Sequence, residues 1–439
     1  MNALPTIAVL GASGLIGEAI ATRLLQDGFP VVPVARRFTA AQRNAFGKIA
    51  VECPFVTLDA DALARLFADN RVEIVVNCVG VLQDGPRGST QTVHHDFVAR
   101  LLTAIGVRDG MLIHVSIPGN AEDDHTTFSR TKRAAERLIE ASTVPYIILR
   151  PGFVVAPSAY GGSALLRALA ALPFNLATAD AHKPFAVTDV NDIARTIVFA
   201  GRRWRNGERG WRAAWDVMSR EPTTVGDVID AFRHRLGGPE SRIALPSWLL
   251  TFGARIGDLV SRLGWVPPVR STALQEIRRG VTGDPKPWIA ATGIEPERLA
   301  AMARHLSTGV QERWFARLYL AKPLTIGSLA LFWALSGLIA LTVSFEAAVA
   351  ILISHGFAPG LARGITVISS LADIAVGVAI AIRKTCRIGL LAGIGVSLFY
   401  MLAAAVITPD MWIEPLGALV KTGPAIVLML VALAMLEDR

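Results

Sequence analysis

Four long apolar runs in the C-terminal part of this chain limit what it can fold into. They cover residues 324–345, 364–382, 388–407 and 416–436, and their only charged residues are Asp373 and Lys421. A helix needs about 20 apolar residues to cross about 30 Å of hydrocarbon. We therefore expect four spans that form an all-α transmembrane bundle over residues 323–439. A buried soluble bundle is the alternative. Residues 347–354 are too few to span and are expected in the membrane interface.

The charges between these runs predict how the spans are oriented, because Lys and Arg are enriched in cytoplasmic loops. One side gathers six basic residues, namely Arg313, Arg317, Lys322, Arg383, Lys384 and Arg387. The loops of the other side hold Glu346, His355, Asp410 and Glu414, with Arg363 as the exception. Since the basic side is also that of the N-terminal domain, both termini are expected in the cytoplasm. The chain begins without a basic segment, which predicts a strand there and not a signal peptide.

The first half of the chain alternates short β-branched runs with helical patterns, over about residues 6–212. This alternation predicts βαβ units and a parallel sheet. Pro33, inside the second run, favours an edge or irregular position for that strand. A helical texture broken by proline and glycine follows. The expected fold class is an α/β Rossmann-type sheet in residues 1–215 with a small helical cap in 216–310, joined by a linker (311–322) to the membrane bundle.

A glycine motif between the first strand and the first helix carries the strongest functional signal. It reads Gly11-Ala12-Ser13-Gly14-Leu15-Ile16-Gly17. Gly11 would make the tight turn and Gly14 would let backbone N–H groups approach a diphosphate at the helix N-terminus, where the dipole favours anions. Gly17 would allow close helix–strand contact. The motif therefore predicts a dinucleotide site over these seven residues. A tight turn in a flavodoxin-like fold is the alternative.

Arg36 and Arg37 follow the second strand, where an acidic residue would accept from the ribose 2′-hydroxyl of NAD. An arginine there would pair with the 2′-phosphate of NADP. The sequence therefore favours NADP(H) over NAD(H), with Arg36 the better candidate. The alternative is a solvated surface pair.

Two further segments are placed beside the cofactor. Asp59 either meets the adenine or caps the helix that follows it. Cys78, Val79 and Gly80 end the fourth strand, where the backbone would pass the cofactor and Gly80 would permit close approach. An ordinary strand end is the alternative for this second segment.

These residues resemble the short-chain dehydrogenase/reductase superfamily, in its extended or atypical branch, over about residues 5–305. The match includes Pro151, Gly152 and Phe153, where the family chain passes the nicotinamide, and the segment 187–194. Within the superfamily the sequence is similar to the branch with the NADPH-binding accessory subunit of respiratory complex I. The membrane part resembles the DoxX-like family of four-helix modules. That combination implies a multi-pass protein of the bacterial inner (cytoplasmic) membrane with a cytoplasmic N-terminal domain.

The resemblance implies a catalytic Tyr-x-x-x-Lys pair, in which the tyrosine passes a proton and the lysine lowers its pKa and binds the ribose. The matching stretch keeps Lys132 but has Phe128 in place of the tyrosine. Ser116 takes the position of the family's catalytic serine. Lys132 and Ser116 are thus the catalytic candidates, with Ser129 or a water as substitute proton donor. The alternatives are that Lys132 only holds the ribose and that Ser116 only satisfies backbone groups.

Other polar residues are expected to be structural. His94 and His95 lie at a predicted helix start, where packing or solvation is favoured over chemistry, and no metal site is expected. Cys53, Cys78 and Cys386 have no metal or CxxC spacing, which predicts free thiols.

In the membrane part, Asp373 is expected to form an interhelical hydrogen bond, with a proton or quinone-headgroup contact as the alternative. Lys421 would pair with it or reach the interface. The membrane glycines are expected to allow close helix contacts; they are Gly327, Gly337, Gly377, Gly389, Gly393 and Gly395.

Two functions remain open at this stage. The first is a membrane-anchored NADP(H)-dependent oxidoreductase whose lipophilic, quinone-like substrate arrives from the bilayer. The second is a non-catalytic NADPH-binding protein for assembly or redox sensing, with membrane-complex subunits as partners. An epimerase or dehydratase is disfavoured because it needs the missing tyrosine. The net charge is +8, but the chain has no run of Lys and Arg with interleaved aromatic residues, which is typical of nucleic-acid binding. No nucleic-acid partner is therefore expected. The oligomeric state stays open.

Overall fold

The computed structural model describes residues 3–85, 88–240, 242–413, 417 and 419–436. These divide into two compact units. The first unit runs to Asp258 and resumes from Pro267 to Ala316, and the second comprises Leu259–Val266 and the residues from Arg317 onward. The second unit therefore includes a short segment from the middle of the chain.

The first unit is built on a parallel sheet. Its strands and those of two small accessory sheets are β1 (Thr6–Leu10), β2 (Val31–Ala35), β3 (Val51–Glu52), β4 (Val72–Asn77), β5 (Met111–Val115), β6 (Tyr146–Pro151), β7 (Phe153–Val155), β8 (Phe174–Leu176), β9 (Val187–Asp189), β10 (Arg212–Val217) and β11 (Ile243–Leu245). Seven of them form one sheet in the order β10-β6-β5-β4-β1-β2-β3, and β7 pairs with β9 and β8 with β11. The strand order reverses between β1 and β4, which is where ligands of open α/β sheets bind.

Helices cover both faces of this sheet and also build the cap beside it. In chain order they are α1 (Leu15–Gln26), α2 (Ala40–Phe46), α3 (Ala60–Asp69), α4 (Phe97–Gly106), α5 (Thr127–Ala141), α6 (Gly162–Ala171), α7 (Thr178–Ala181), α8 (Val190–Arg205), α9 (Val225–Leu236), α10 (Ser247–Ser261), α11 (Ser271–Arg279), α12 (Lys286–Thr292), α13 (Leu299–Arg304) and α14 (Val310–Leu318). Alternate residues of β1 enter different cores: Ile7 and Val9 pack with α1 and α8, and Ala8 and Leu10 with α3 and α4. The predicted Rossmann-type sheet is confirmed.

The strand that contains Pro33 is not at the edge of the sheet, as the sequence led us to expect, but between β1 and β3. The two-residue β3 pairs only with Val34 and Ala35. Pro33 therefore has no neighbour on that side, and its missing N–H group costs no ladder bond.

The cap draws on more of the chain than the predicted residues 216–310. One hydrophobic core joins α6, α9 and α13, so residues on both sides of β10 contribute to it. The predicted boundary at residue 215 falls inside β10, which pairs with β6 as an edge strand of the main sheet.

The second unit is helical, with α15 (Ala321–Leu341), α16 (Phe345–Ser354), α17 (Pro359–Ala381), α18 (Cys386–Ile407) and α19 (Thr422–Met435). Three of the described helices, α15, α17 and α18, are long and apolar enough to cross a membrane. The predicted fourth span differs, because α19 has 14 residues and covers only about 21 Å. Leu416, its predicted first residue, lies outside the described part of the chain. The 10-residue α16 is too short to span, as expected.

Glycines let the long helices approach closely. A Cβ on Gly337 would lie 2.4 Å from the carbonyl oxygen of Ser370, and one on Gly377 would lie 2.5 Å from the Ala334 nitrogen. Gly389 and Gly393 are equally enclosed, so the expectation of close helix contact is confirmed for these four. It is wrong for Gly327 and Gly395, which have open space where a side chain would stand.

The carboxylate of the candidate span α17 has a partner on the next helix. The Tyr400 hydroxyl of α18 donates to Asp373 Oδ1 of α17 at 3.0 Å. The expected interhelical hydrogen bond is therefore present. Lys421 is exposed and directly precedes α19, so it is not the partner of Asp373.

Candidate functional site

The glycine turn lies directly against the ends of β1 and β2. Gly11 has a φ of +83°, which favours glycine, and its N–H donates to the Val34 carbonyl oxygen at 2.9 Å. The Ala12 N–H donates to the same oxygen at 3.1 Å. The turn closes with the Gly14 N–H on the Gly11 carbonyl oxygen at 2.9 Å. The fully buried Ala12 side chain fills the space beneath it.

The N-terminus of α1 is open. Gly14 is its N-cap residue, is exposed, and provides no side chain to satisfy the first N–H groups of the helix. Ser13, Leu15 and Ile16 are half-buried beside it. A Cβ on Gly17 would lie 2.3 Å from the Gly11 carbonyl oxygen, so only glycine lets the helix stand this close to the turn. Free amides and the helix dipole together make a site for a diphosphate.

Gln42 supports this turn from below and was not identified from the sequence. Its side-chain amide donates to the Ser13 carbonyl oxygen at 3.2 Å and to the Glu18 carboxylate at 2.8 Å. The residue is 3% exposed. Gln42 also forms a capping box with Thr39, and this Thr-x-x-Gln pattern was the only signal available.

Arg36 and Arg37 are both exposed just past the carboxyl end of β2. Because Gly11 and Ala12 bond to Val34, this position adjoins the glycine turn. Hydrogen bonds from Phe38 and Arg43 lower the pKa of Glu52, with a smaller contribution from the charge of Arg37. Arg37 thus lies within range of the charge of Glu52.

Asp59 acts as the N-cap of α3. Its carboxylate accepts a hydrogen bond from the Ala62 N–H at 2.7 Å. The capping role that the sequence allowed is therefore present, and the side chain is exposed beyond the end of β3.

The chain beyond β4 passes over a buried lysine. The Val79 N–H donates to the Asn77 side chain at 3.1 Å, which shapes the turn after the strand. A Cβ on Gly80 would lie 3.5 Å from Lys132 Nζ, so Gly80 is the residue that covers the ammonium group. Cys78 is half-buried, and burial raises the pKa of its thiol to about 12. All three cysteines are free.

Lys132 extends from α5 to the carboxyl ends of β4 and β5. Its ammonium group donates to the carbonyl oxygens of Val115 at 2.9 Å and Val79 at 3.3 Å. The residue is 5% exposed. Burial lowers the pKa of Lys132 to about 8, against the opposing effects of Cys78 and Glu136. A positive charge thus stands beneath the backbone that follows β4 and β5 at neutral pH.

His94 fixes the loop beside this lysine. Its Nε2 accepts from the Val81 N–H at 3.1 Å, so its Nδ1 carries the proton and donates to the Thr131 hydroxyl at 2.9 Å. Burial, with the charge of Lys132, lowers the pKa of His94 to about 2. The structural role expected for His94 is confirmed, and His95 bonds at the surface to Asp96. Among the described residues no cluster could hold a metal ion.

Phe128 stands one turn before Lys132 on α5, in the position where the family has its tyrosine. Its ring meets that of His94 edge to face, with centroids 5.5 Å apart. Ser129 does not replace the missing hydroxyl, because it is fully buried and its hydroxyl is bonded to Thr126.

Ser116 is buried as well. Its N–H donates to the Leu149 carbonyl oxygen at 2.7 Å. Burial raises the pKa of Glu136, but Arg150 and Arg133 bring that pKa below its ordinary value. The Ser116 hydroxyl is enclosed and has no hydrogen-bond partner among the described residues, so it does not satisfy backbone groups there.

A buried ion network holds the loop after β5. Arg133 of α5 bonds to Asp124 at 3.0 Å and to Glu136 at 3.0 Å. Arg279 of α11 bonds to Asp124 at 2.7 Å, so the same carboxylate joins two helices. Arg133 and Arg279 also donate to the Pro118 carbonyl oxygen. The charges therefore position the loop above the sheet, and sequence reasoning missed them.

The predicted cofactor segment of residues 151–153 lies at the end of β6. Gly152 donates its N–H to the Thr188 hydroxyl at 2.8 Å, and a Cβ there would lie 2.3 Å from the Ala186 carbonyl oxygen. Pro151 is buried, and the Phe153 ring packs against the Phe185 ring at a tilt, with centroids 4.9 Å apart. Gly152 is thus required for contact with the strand β9 segment.

Since the main strands are parallel, all these groups gather at one edge of the sheet. The glycine turn follows β1, Arg36 follows β2, Gly80 and Lys132 lie over β4 and β5, and Gly152 follows β6. The open amides and the positions that admit no Cβ fit an extended dinucleotide laid across this edge.

Comparisons with known proteins agree with this geometry. Residues 7–211 match the NAD dependent epimerase/dehydratase family, and residues 330–430 match the DoxX-like family. No curated protein sequence matches the chain.

Three solved structures illustrate the fold. UDP-glucuronic acid 4-epimerase from Bacillus cereus, in complex with UDP-glucuronic acid and NAD, is 15% identical with a TM-score of 0.51, covering 72% of this chain and 99% of that one. The Bordetella bronchiseptica enzyme WbmH, in complex with NAD+, is 16% identical with a TM-score of 0.51, covering 72% and 98%. UDP-glucose-4-epimerase from Stenotrophomonas maltophila, with bound NAD, is 16% identical with a TM-score of 0.52, covering 73% and 99%. The chain therefore joins an N-terminal, NAD(P)-binding domain of the NAD-dependent epimerase/dehydratase type to a C-terminal DoxX-like domain.

Proposed function

We propose that this protein is a membrane-bound, NADP(H)-dependent oxidoreductase that reduces a lipophilic, quinone-like acceptor. The observation that carries the proposal is the combination of a buried lysine with Phe128 where the family has its proton donor. These residues support cofactor binding. They do not support proton transfer by a protein side chain.

The glycine turn would hold the diphosphate through the amides of Leu15 and Ile16, and Gly80 would leave room for the nicotinamide half. When bound, the cofactor supplies a hydride. Lys132 holds a positive charge at the same edge of the sheet, because its pKa of about 8 keeps it mostly protonated at neutral pH. That charge favours an oxyanion that forms nearby.

The missing hydroxyl restricts the acceptor. A ketone that accepts a hydride becomes a strongly basic alkoxide, and a general acid typically contributes about 10²–10⁴-fold to such a step. A quinone that accepts a hydride becomes a delocalised hydroquinone anion, which is far less basic and takes its proton from water. Phe128 in place of tyrosine is therefore expected to lower the rate of ketone and sugar reactions more than the rate of quinone reduction.

Measuring NADPH oxidation with a panel of quinones and ketones tests this proposal. Full-length protein in detergent, given NADPH, is expected to oxidise it with quinones and not with ketones. Phe128→Tyr should leave the quinone rate unchanged and raise any ketone rate, by up to about 10²–10⁴-fold. Lys132→Met is expected to lower the quinone rate. NADPH binding without turnover on any acceptor would contradict the proposal.

That last result would favour a second function, a non-catalytic NADPH-binding protein that assembles or senses the redox state of a membrane complex. The burial of the Ser116 and Ser129 side chains supports this candidate, since neither hydroxyl is exposed for chemistry. It predicts that membrane-complex subunits copurify with the intact protein. Phe128→Tyr should then leave NADPH affinity unchanged.

The preference for NADP(H) depends on Arg36. Charged hydrogen bonds contribute about 1.5–3 kcal/mol, so Arg36→Ala should weaken NADPH binding about 10- to 100-fold and leave NADH binding unchanged. Arg37→Ala, the neighbouring exposed arginine, is the matched control and should have a smaller effect. Calorimetric titration of the full-length protein measures both. Equal affinities for NADPH and NADH in the wild type would mean that the protein uses NAD(H) as readily.

We also infer a multi-pass location in a bacterial inner membrane with the N-terminal domain in the cytoplasm. The basic residues 383, 384 and 387 follow α17, and Arg313 and Arg317 precede α15, which supports this orientation. A protease added to sealed, inside-out vesicles should cleave the N-terminal domain. Protection of that domain would contradict the orientation.

A further inference from the structure

Helix α10 exposes an apolar stripe. Trp248 is 68% exposed, Phe252 55% and Leu259 60%. At 100° per residue these side chains fall, with Leu249 and Ile256, within one sector of about 100°. Such large exposed side chains in one row require a covering surface.

The opposite face of the helix is firmly packed. Ala254 is 1% exposed, and a Cβ on Gly257 would lie 2.0 Å from the Val269 carbonyl oxygen. Asp258 bonds to Arg270 and Ser271, which ties the helix to the start of α11. The rotation of α10 is therefore fixed, and the apolar stripe is held outward by the fold.

Charges border the stripe on one side. Arg255 falls next to the Trp248 edge of the sector, and Arg262 directly follows the last residue of the helix; both are exposed. A helix with Trp, Phe and Leu on one face and arginines beside them matches the helices that lie in a membrane interface. Tryptophan in particular prefers that depth, because its ring is apolar and its N–H group needs a polar partner.

The residues that follow α10 are anchored at the end of a candidate membrane span. Within the second unit, the Trp265 indole N–H donates to the Ala381 carbonyl oxygen, at the last residue of α17, at 2.7 Å. The Arg383 N–H donates to the Leu263 carbonyl oxygen at 3.0 Å. The stripe on α10 is thus continuous along the chain with a segment at a membrane boundary.

A second helix repeats the pattern. On α14, Trp314 is 64% exposed and Leu318 is 47% exposed, and Arg313 and Arg317 are exposed beside them. The candidate span α15 begins at Ala321, directly after this helix. Both amphipathic helices therefore occur where the chain enters or meets the spans.

We propose that α10 lies in the headgroup region of the membrane, with its Trp248–Phe252–Leu259 stripe in the acyl chains and Arg255 and Arg262 on anionic lipid headgroups. The cap of the N-terminal domain is then itself a membrane-surface element, in addition to the spans. This inference goes beyond the proposed activity and holds whether or not the site turns over.

Tryptophan quenching tests the proposal. The full-length protein is reconstituted into phosphatidylcholine vesicles, with and without phosphatidylglycerol, that contain a phospholipid with a brominated acyl chain. Since the chain has nine tryptophans, Trp248 is read as the difference between wild type and Trp248→Phe. This component is expected to be blue-shifted and quenched by the brominated lipid. Trp211→Phe is the matched control, because Trp211 packs on Phe199 and Trp215 in the first unit; its component should not be quenched.

Other outcomes overturn the proposal. Quenching of the Trp248 component by aqueous iodide alone would show that the stripe faces water. Protection from both quenchers would show that protein, such as a second copy, covers it. Phe252→Trp adds a probe to the same stripe and gives the same reading if Trp248→Phe folds poorly. Quenching by the brominated lipid should be stronger in vesicles with phosphatidylglycerol than in those without it, and the double variant Arg255→Gln/Arg262→Gln should lose this difference. If the wild type were quenched equally in both kinds of vesicle, the proposed role of the arginines would be overturned.

Discussion

Gly17→Ala should separate helix α1 from the glycine turn and so weaken cofactor binding. The added Cβ would lie 2.3 Å from the Gly11 carbonyl oxygen, a backbone atom, whereas ordinary contacts begin at 3.4 Å. The helix must therefore move by about 1 Å, because a packed interior has little free volume to absorb the methyl group. The amides of Leu15 and Ile16 would move with it.

The expected loss follows from those two amides. Hydrogen bonds to a charged diphosphate contribute about 1.5–3 kcal/mol each, so losing both costs about 3–6 kcal/mol, or about 10²–10⁴-fold in Kd. Calorimetric titration of the full-length protein with NADPH measures this loss. Thermal unfolding without cofactor should also show some destabilisation, since overpacking typically costs about 1–3 kcal/mol.

Gly162→Ala is the matched control, because a Cβ there meets nothing within 4 Å. It should bind NADPH like the wild type. If a folded Gly17→Ala also bound NADPH with wild-type affinity, the helix N-terminus would not be the diphosphate site, and the reasoning from the glycine turn would be refuted.

Three further predictions concern the lysine and the membrane helices. NADPH affinity should be high below pH 8 and fall above it, as Lys132, whose pKa burial lowers to about 8, loses its charge; the profile should flatten in Lys132→Met. Gly377→Ala should destabilise the helical unit by about 1–3 kcal/mol in detergent unfolding, whereas Gly395→Ala, with open space around it, should be neutral or slightly stabilising. Tyr400→Phe, which removes the bond to Asp373, should cost about 0.6 kcal/mol in the same assay; no change would mean that the hydrogen bond adds nothing to helix association.

Features that depend on neighbours in sequence were predictable. The glycine turn, the N-cap at Asp59 and the alternation of strand and helix all arise from local backbone chemistry, and the structure contains them. A structural role for His94 was expected from its place at a helix start, although its partners, the Val81 N–H and Thr131, lie 13 and 37 residues away along the chain.

Features that depend on distant residues were not predictable. Asp124 is paired with Arg279, more than 150 residues away, and no local pattern marks such a pair. The position of Gln42 under the glycine turn needs the full packing of α2 against α1. Gly395 was expected to allow helix contact, but composition does not reveal which face of a helix meets its neighbour. The length of α19 was not predictable either, because an apolar run does not show where its helix begins.

The division of the chain into two units has a consequence for how the protein can be taken apart. The polypeptide changes unit after residues 258, 266 and 316, so no single cut separates the two. A fragment ending at residue 316 would keep Trp265 and lose Ala381, the acceptor of its indole N–H. The complementary fragment would lose the donor. Cutting the chain at residue 316 therefore breaks the second unit itself, and the intact chain is needed to form this hydrogen bond.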